Sequence, residues 1–307
     1  MRPEVYAKSA LKEDDLESKR ILGGDGIEVQ LITELVNGAV GKYFYAKDVY
    51  DLSLLKKYNI KAVHAPLLSN YGIPDVNIES LCDSSDFLLL DQVCYIANLA
   101  GEYHDRNILV VIHSESYRNN MMLIGDTWKR VINCIGCLLF KYPRIEICIE
   151  NVTPLRNVGK QLHLCNNFYK DNIEVVMELR KQLHTDRIGT VLDVCHAEVT
   201  SLFYKAISEV FAENLNDDDY SMPVFFESNN DVCKLIHLSY TRGTGYGKGN
   251  HGQPFSNETY PMMQHYLDLY REYEYTCSIT LEVAENDYQN CMGYKESLRL
   301  FNKYFSN

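Results

Sequence analysis

The segment IEICIEN, residues 145–151, alternates isoleucine with other residues and ends in a glutamate and an asparagine. Side chains of a β-strand point alternately to opposite faces, so the three isoleucines share one face while Cys148 and Glu150 share the other. A face made only of isoleucine is suited to packing against helices. We therefore predict a buried strand that turns Glu150 inward at its C-terminal end.

Five other apolar runs end in the same manner, each on a residue type that binds metals. They are KAVHAP at His64, VVIHSES at His113, TVLDVCH at Asp193, KLIHLS at His237 and ITLEV at Glu282. With two N-terminal runs added, the predicted strands are Val5–Ser9, Ile27–Ile32, Lys61–Ala65, Ile108–His113, Ile145–Asn151, Thr190–Cys195, Cys233–Leu238 and Ser278–Val283.

Longer segments of helical period separate these strands. The predicted helices include Asp48–Tyr58, Glu79–Gly101, Asp126–Tyr142, Asn172–His184, Glu258–Glu274 and Tyr294–Phe305. Such regular alternation favours an α/β fold, the (β/α)8 TIM barrel, as a single domain over residues 1–307. The tract around residues 213–231 is polar and irregular, and we predict that it forms a surface insertion before the seventh strand.

The composition argues against several classes of protein. A net charge of -12 and a pI near 5.2 disfavour a broadly basic nucleic-acid surface. Several of the ten cysteines lie in apolar runs, as Cys148 and Cys195 do, which suits reduced thiols in a cytoplasm. Because the N-terminus has no apolar signal segment and no run of about 18 apolar residues occurs, we expect a soluble, cytoplasmic protein without a membrane span.

The position of the polar strand ends matters more than any one of them. A single histidine or glutamate there is usually a satisfied polar residue at the edge of a core. In a TIM barrel, however, all these ends meet at the C-terminal face, where active sites lie. Several carboxylates gathered there would repel one another unless a cation compensated. The mixture of imidazole and carboxylate predicts a divalent metal, zinc or manganese, with one to three ions.

These motifs together resemble one group of proteins, the xylose isomerase-like TIM-barrel superfamily. The resemblance rests on HAP at His64, the strand ending at His113, EN at residues 150–151, LDVCHA at residues 192–197, HLS at His237 and LE at Glu282. It covers roughly residues 60–285 in order. The group contains sugar isomerases and epimerases as well as endonuclease IV.

The sugar branch implies one divalent metal held by Glu150, Asp193, His237 and Glu282. The metal would bind neighbouring oxygens of a ketose or aldose, which is the sugar or sugar phosphate substrate, and stabilise the enediolate formed when a C–H proton is removed. Glu150 and Glu282 would serve as the paired acid and base. The partner would then be a small sugar.

The endonuclease branch implies three zinc ions, with additional ligands at His64, His113, His196 and His251, and cleavage of a phosphodiester at an abasic site. Nucleic acid is a partner only under this alternative. The endonuclease pattern has an aspartate two residues before the loop histidine, but in this sequence Gly249 stands two residues before His251. The opening GGDGIEVQL, residues 23–31, is similar to the sugar branch. We therefore place the sugar reaction first and the endonuclease second.

Two further features have competing interpretations. The loop TRGTGYGKG, residues 241–249, would cradle a substrate phosphate with Arg242 and Lys248, or it is only a glycine-rich surface loop. The tyrosine-rich run YLDLYREYEY, residues 266–275, indicates helix packing or a contact in a homo-oligomer. A third class of function also stays open, namely an inactive barrel that only binds.

Overall fold

The computed structural model describes residues 1–31, 36–37, 42–43, 45–66, 78, 84–114, 126–158, 161–164, 169–211, 220–243, 252–285 and 290–306. Its strands in chain order are β1 (Val5–Ala10), β2 (Gly26–Gln30), β3 (Val36–Asn37), β4 (Lys42–Tyr43), β5 (Ile60–His64), β6 (Ile108–His113), β7 (Ile145–Glu150), β8 (Leu155–Val158), β9 (Gln161–Leu164), β10 (Ile188–Asp193), β11 (Cys233–Leu238) and β12 (Ser278–Leu281).

Eight of these strands form a closed barrel in the order β1, β12, β11, β10, β7, β6, β5, β2. Every pairing around the barrel is parallel, including the pairing of β1 with both β2 and β12 that closes it. The two short pairs, β3 with β4 and β8 with β9, are antiparallel hairpins outside the barrel. The predicted (β/α)8 TIM barrel is therefore confirmed.

Ten helices lie in the described part of the chain: α1 (Glu13–Leu22), α2 (Ala46–Val49), α3 (Leu54–Lys57), α4 (Ser84–His104), α5 (Asp126–Lys141), α6 (Tyr169–Leu183), α7 (Val194–Phe211), α8 (Met222–Asn229), α9 (Tyr260–Glu272) and α10 (Met292–Phe305). Within these described helices, none has the length and apolar character needed to cross a bilayer. The eight described cysteines are free thiols, and two of them, Cys134 and Cys137, form a CxxC spacing inside α5.

The two faces of β7 pack as the period of two requires. Ile145, Ile147 and Ile149 belong to the apolar layer between the barrel and the helices. Cys148 lies inside the barrel instead, in a small cluster with Tyr6, Ala62, Val111, Val191 and Leu235. Because apolar side chains fill the barrel at this level, the inward-facing residues at the strand ends form a separate polar layer above them.

Two predicted elements have different boundaries in the structure. The predicted helix Asp48–Tyr58 is wrong as one helix, because a turn separates α2 from α3. In that turn both the backbone N–H and the hydroxyl of Ser53 donate to Asp51 Oδ1, at 3.0 and 2.6 Å, and this local bonding competes with the helix. The sixth barrel strand ends at Asp193 and not at Cys195, since α7 begins at Val194.

The tract predicted as a surface insertion at residues 213–231 is also partly corrected. Its C-terminal half forms α8, in which Phe225 and Phe226 are only 1% exposed. The apolar run MPVFF supplies the side chains that pack this helix against the barrel. Residues 212–219 lie outside the described part of the chain, as do residues 79–83 at the start of the predicted helix Glu79–Gly101.

Candidate metal centre at the barrel mouth

Five neighbouring strands bring predicted ligands to the C-terminal end of the barrel, which we call the barrel mouth. The register pairs His113 with Glu150 across β6 and β7, and Asp193 with His237 across β10 and β11. Glu282 follows β12 directly, and its backbone N–H donates to Leu238 O at 3.2 Å. Parallel strands in register therefore place these side chains side by side.

The four residues Glu150, Asp193, His237 and Glu282 form one compact group. Each offers a ligand atom, and these atoms all lie within 4.8 Å of one another. Two ligands on opposite sides of a metal with bonds near 2.1 Å are about 4.2 Å apart, so the group needs little contraction to hold an ion. The first three side chains are buried, and that of Glu282 is 17% exposed.

His237 is surrounded by carboxylates on both sides of its ring. Nδ1 lies 2.7 Å from Glu282 Oε2 and 3.4 Å from Glu150 Oε1, and Nε2 lies 3.0 Å from Glu28 Oε2. Burial lowers the pKa of His237, but the charges of Glu28, Glu150 and Glu282 outweigh it and raise the pKa well above its usual value. The carboxylates of Glu282 and Glu150 that stabilise a proton on Nδ1 would also stabilise a metal cation bound to Nδ1.

A second group on the opposite side of Glu150 consists of His64, His113 and Glu150. His64 Nδ1 lies 2.8 Å from Ala65 O, which can only accept, so Nδ1 carries a proton. His64 Nε2 then faces Glu150 Oε2 at 2.9 Å, and this contact needs either a second proton or a cation. Burial, followed by the charge of Lys8, lowers the pKa of His64 and disfavours the second proton.

Asp193 has both a structural and a chemical position. Its Oδ1 accepts the backbone N–H of His196 at 2.7 Å, which caps the first turn of α7. The Asn151 side chain bonds the backbone of Asp193 in both directions, through Nδ2 to Asp193 O and through Oδ1 to Asp193 N. Because these bonds fix the aspartate, Oδ2 is held in the ligand group.

His196 lies at the edge of the same site. Its Nδ1 is 2.7 Å from Asn151 O, which fixes the proton on that nitrogen. Burial lowers the pKa of His196 to about 4, against the opposing charges of Glu150 and Glu282. The ring is therefore neutral near pH 7, which is the protonation state that a metal ligand requires.

The sequence analysis missed two charged residues, Lys8 on β1 and Glu28 on β2. Lys8 Nζ lies 2.6 Å from Glu282 Oε1 and 3.5 Å from Glu28 Oε1. Glu28 has no exposed surface. A signal was present, because YAKSA and GIEVQ each place one charge within an otherwise weakly polar strand.

The buried glutamates of the barrel mouth are ionised. Burial raises the pKa of each, but nearby positive charge prevails: His237 and Lys8 lower the pKa of Glu28 to about 2, and the same two groups hold the pKa of Glu282 well below its usual value. The pKa of Glu150 is also held well below its usual value, by His237 first and by His64 next. The donor set thus suits a divalent cation.

Of the remaining predicted site residues, Arg242 is the one that the structure describes, and it does not join this group. Arg242 is exposed, at the start of the loop that follows β11. Lys248 and His251 lie outside the described residues, so their predicted roles stay predictions.

Known proteins resemble this chain in structure and not in sequence. No protein-family model and no curated protein sequence matches it. Solved structures do match, over nearly the whole chain. A D-tagatose 3-epimerase-like protein has a TM-score of 0.58 at 18% identity, and the match covers 99% of this chain and 97% of that one. The chain therefore shares the fold of these solved structures.

Two other solved structures also match over nearly the whole chain. The IolI protein, solved with a bound zinc atom, has a TM-score of 0.57 at 13% identity, covering 98% of this chain and 96% of that one. An AP endonuclease of family 2 from Brucella melitensis has a TM-score of 0.54 at 12% identity, covering 98% and 99%. At these identities the likeness establishes the fold, and function must be argued from the site.

Proposed function

We propose that the protein is a divalent-metal-dependent isomerase or epimerase of a sugar or sugar phosphate. The observation that carries the proposal is the four-residue group of Glu150, Asp193, His237 and Glu282, which combines a metal-ligand set with two ionised glutamates. The structural neighbours include several sugar 3-epimerases, which supports a reaction of this class.

The four residues would hold zinc or manganese. Once bound, the cation would polarise the oxygen atoms of the substrate next to the reacting carbon and make its proton more acidic. Asp193 and His237 are fixed for this task, the former by its bonds to Asn151 and the latter between two carboxylates.

The two glutamates would move the proton. Glu282 is the more accessible, with 17% of its side chain exposed, so we assign it the removal of the proton from the substrate carbon. Glu150 is 1% exposed and bonded to His64, and we assign it the return of a proton from the other side. Glu282 must be ionised at rest to accept the proton, and its lowered pKa provides this at neutral pH. Glu150 is ionised as well, so the proton that it returns would be taken up from water in each turnover, while Glu282 would release the removed proton to water.

The test is proton exchange, measured without knowing the substrate in advance. The protein is loaded with Mn²⁺ or Zn²⁺ and incubated in D₂O with a panel of ketoses and ketose phosphates, and deuterium at carbon is followed by mass spectrometry. We expect incorporation into one class of sugar, and loss of nearly all of it in Glu282→Gln. No incorporation into any sugar, by protein shown to contain metal, would refute the proposal.

Glu146→Gln is the matched control. Glu146 lies on the same strand and the same face as Glu150, about 13 Å away along β7. It pairs with Lys234 at 3.1 Å at the opposite end of the barrel. The control should therefore keep full exchange activity.

A second candidate function is zinc-dependent cleavage of phosphodiesters, as in endonuclease IV. The group of His64, His113 and Glu150 favours it, because a second metal there would share Glu150 with the first. The net charge of -12 and Gly249 weigh against it. Cleavage of an abasic duplex by zinc-loaded protein would promote this function, while metal binding without either activity would indicate a barrel that only binds.

A further inference from the structure

Four charged side chains from β1, β2, β11 and the end of β12 form a closed ring. Lys8 Nζ lies beside the Oε1 atoms of Glu28 and Glu282, at 3.5 and 2.6 Å. The Oε2 atoms of the same two glutamates face the two ring nitrogens of His237, at 3.0 Å for Nε2 and 2.7 Å for Nδ1. Each glutamate thus has one oxygen on the lysine and the other on the histidine.

Glu28 is held in this ring from several directions. Thr280 Oγ1 donates to Glu28 Oε2 at 2.7 Å, and His237 Nε2 donates to the same oxygen at 3.0 Å. Lys8 supplies a positive charge to the other oxygen. Glu28 is fully buried, so it has no surface with which to meet a substrate. Its contacts instead act on the orientation and proton position of His237.

We propose that Glu28 is a positioning residue that keeps the proton of His237 on Nε2 and turns Nδ1 toward Glu150, Asp193 and Glu282. This inference rests on the metal centre of the proposed function. A histidine ligand whose other nitrogen donates to a carboxylate has a fixed tautomer and a more basic donor nitrogen. Thr280 on β12 and Lys8 on β1 hold Glu28 on β2 in place. Residues of three strands thus act together to orient His237.

The test uses Mn²⁺ alone and needs no substrate. Dissociation constants for Mn²⁺ are measured by the EPR signal of the free ion in the unchanged protein and in three variants. Glu28→Gln should weaken Mn²⁺ binding about 10- to 100-fold, as for other residues that orient a metal ligand. Thr280→Val, which changes no charge, should weaken it about 5-fold through the loss of one hydrogen bond to Glu28.

Thr190→Val is the matched control, because Thr190 is also a buried threonine in a barrel strand but lies near Cys233, away from His237. Its Mn²⁺ affinity should equal that of the unchanged protein. If Thr280→Val also leaves the affinity unchanged while Glu28→Gln lowers it, Glu28 acts only through its charge and the positioning role is wrong.

A second measurement uses no variant of Glu28, so it can be made even if Glu28→Gln does not fold. In Zn²⁺-loaded protein labelled with ¹⁵N at histidine, the His237 signals, identified by comparison with His237→Gln, should show a proton on Nε2 and the metal on Nδ1. Metal on Nε2 would overturn the inference alone. Failure of the unchanged protein to bind either metal would overturn the metal centre as well, whereas binding without sugar exchange would overturn only the proposed reaction.

Discussion

The substitution Asp193→Asn should stabilise the metal-free protein while it weakens metal binding. Asparagine retains Oδ1, so the cap on the backbone N–H of His196 is kept. It removes the charge of Oδ2, which lies in the same 4.8 Å group as the carboxylates of Glu150 and Glu282. The substitution therefore changes the charge of the site while it keeps the hydrogen bond that supports the fold.

The magnitude follows from the spacing of the ligand atoms. At an effective dielectric constant of about 20, two unit charges about 4.8 Å apart repel by about 3.5 kcal/mol. Asp193 has two such repulsions and one attraction of similar size, from protonated His237. Removing its charge should relieve about 3.5 kcal/mol before relaxation and screening, and we expect about 1 to 3 kcal/mol of this to remain after them.

The assay is urea unfolding in the presence of a chelator and again with saturating Mn²⁺. Without metal, Asp193→Asn should have the larger free energy of unfolding. With metal the order should reverse, because the unchanged protein gains more from binding. Asp186→Asn, the same substitution at an exposed aspartate, should change neither value. A metal-free variant less stable than the unchanged protein would show that the carboxylates do not repel and would refute the reasoning.

Three further predictions concern other parts of the structure. His113→Asn should leave one metal bound and lower sugar exchange about 10- to 100-fold, whereas loss of a metal by elemental analysis would indicate a second ion at His64 and Glu150. Because the pKa of His196 is lowered to about 4, the unfolded chain binds more protons than the folded one between about pH 4 and 6.5, and folding stability is lost as the pH falls through that window. We measure the free energy of unfolding of chelator-treated protein at pH 7 and at pH 4. Between these two values the His196→Gln variant should lose about 3 kcal/mol less of it than the unchanged protein. Equal losses would contradict the lowered pKa of His196. Phe225→Ala should lower the free energy of unfolding by about 3 to 5 kcal/mol, because the side chain is buried. A much smaller effect would show that α8 is not tightly packed against the barrel.

The barrel and the meeting of polar strand ends at its mouth could be predicted because both depend on local patterns, whereas the choice of a ligand set among them came from the family resemblance and stays a prediction. The period of two in β7 is enough to separate the isoleucine face from Glu150, and the closed parallel barrel then brings the other strand ends to the same mouth. The meeting of Asp193, His237 and Glu282 at the mouth needed no further information than their place at the ends of apolar runs.

Lys8 and Glu28 could not be assigned in this way, since their roles depend on contacts made when the barrel closes. Glu28 meets His237 across 209 positions of sequence, and no local pattern records that distance. The error at α8 has a different cause. The aspartates that precede Met222 in the sequence favour the prediction of a loop, and that prediction was extended over the apolar MPVFF run, which packs against the barrel.

The most direct test of the metal centre is the amount of metal bound per chain. Protein dialysed against Mn²⁺ or Zn²⁺, then freed of excess ion, is measured by elemental mass spectrometry beside Asp193→Asn. We expect about one divalent ion per chain in the unchanged protein and a marked loss in the variant, as for removal of a ligand. No bound ion in the unchanged protein, or equal metal content in both, would contradict the assignment of Glu150, Asp193, His237 and Glu282 as a metal site.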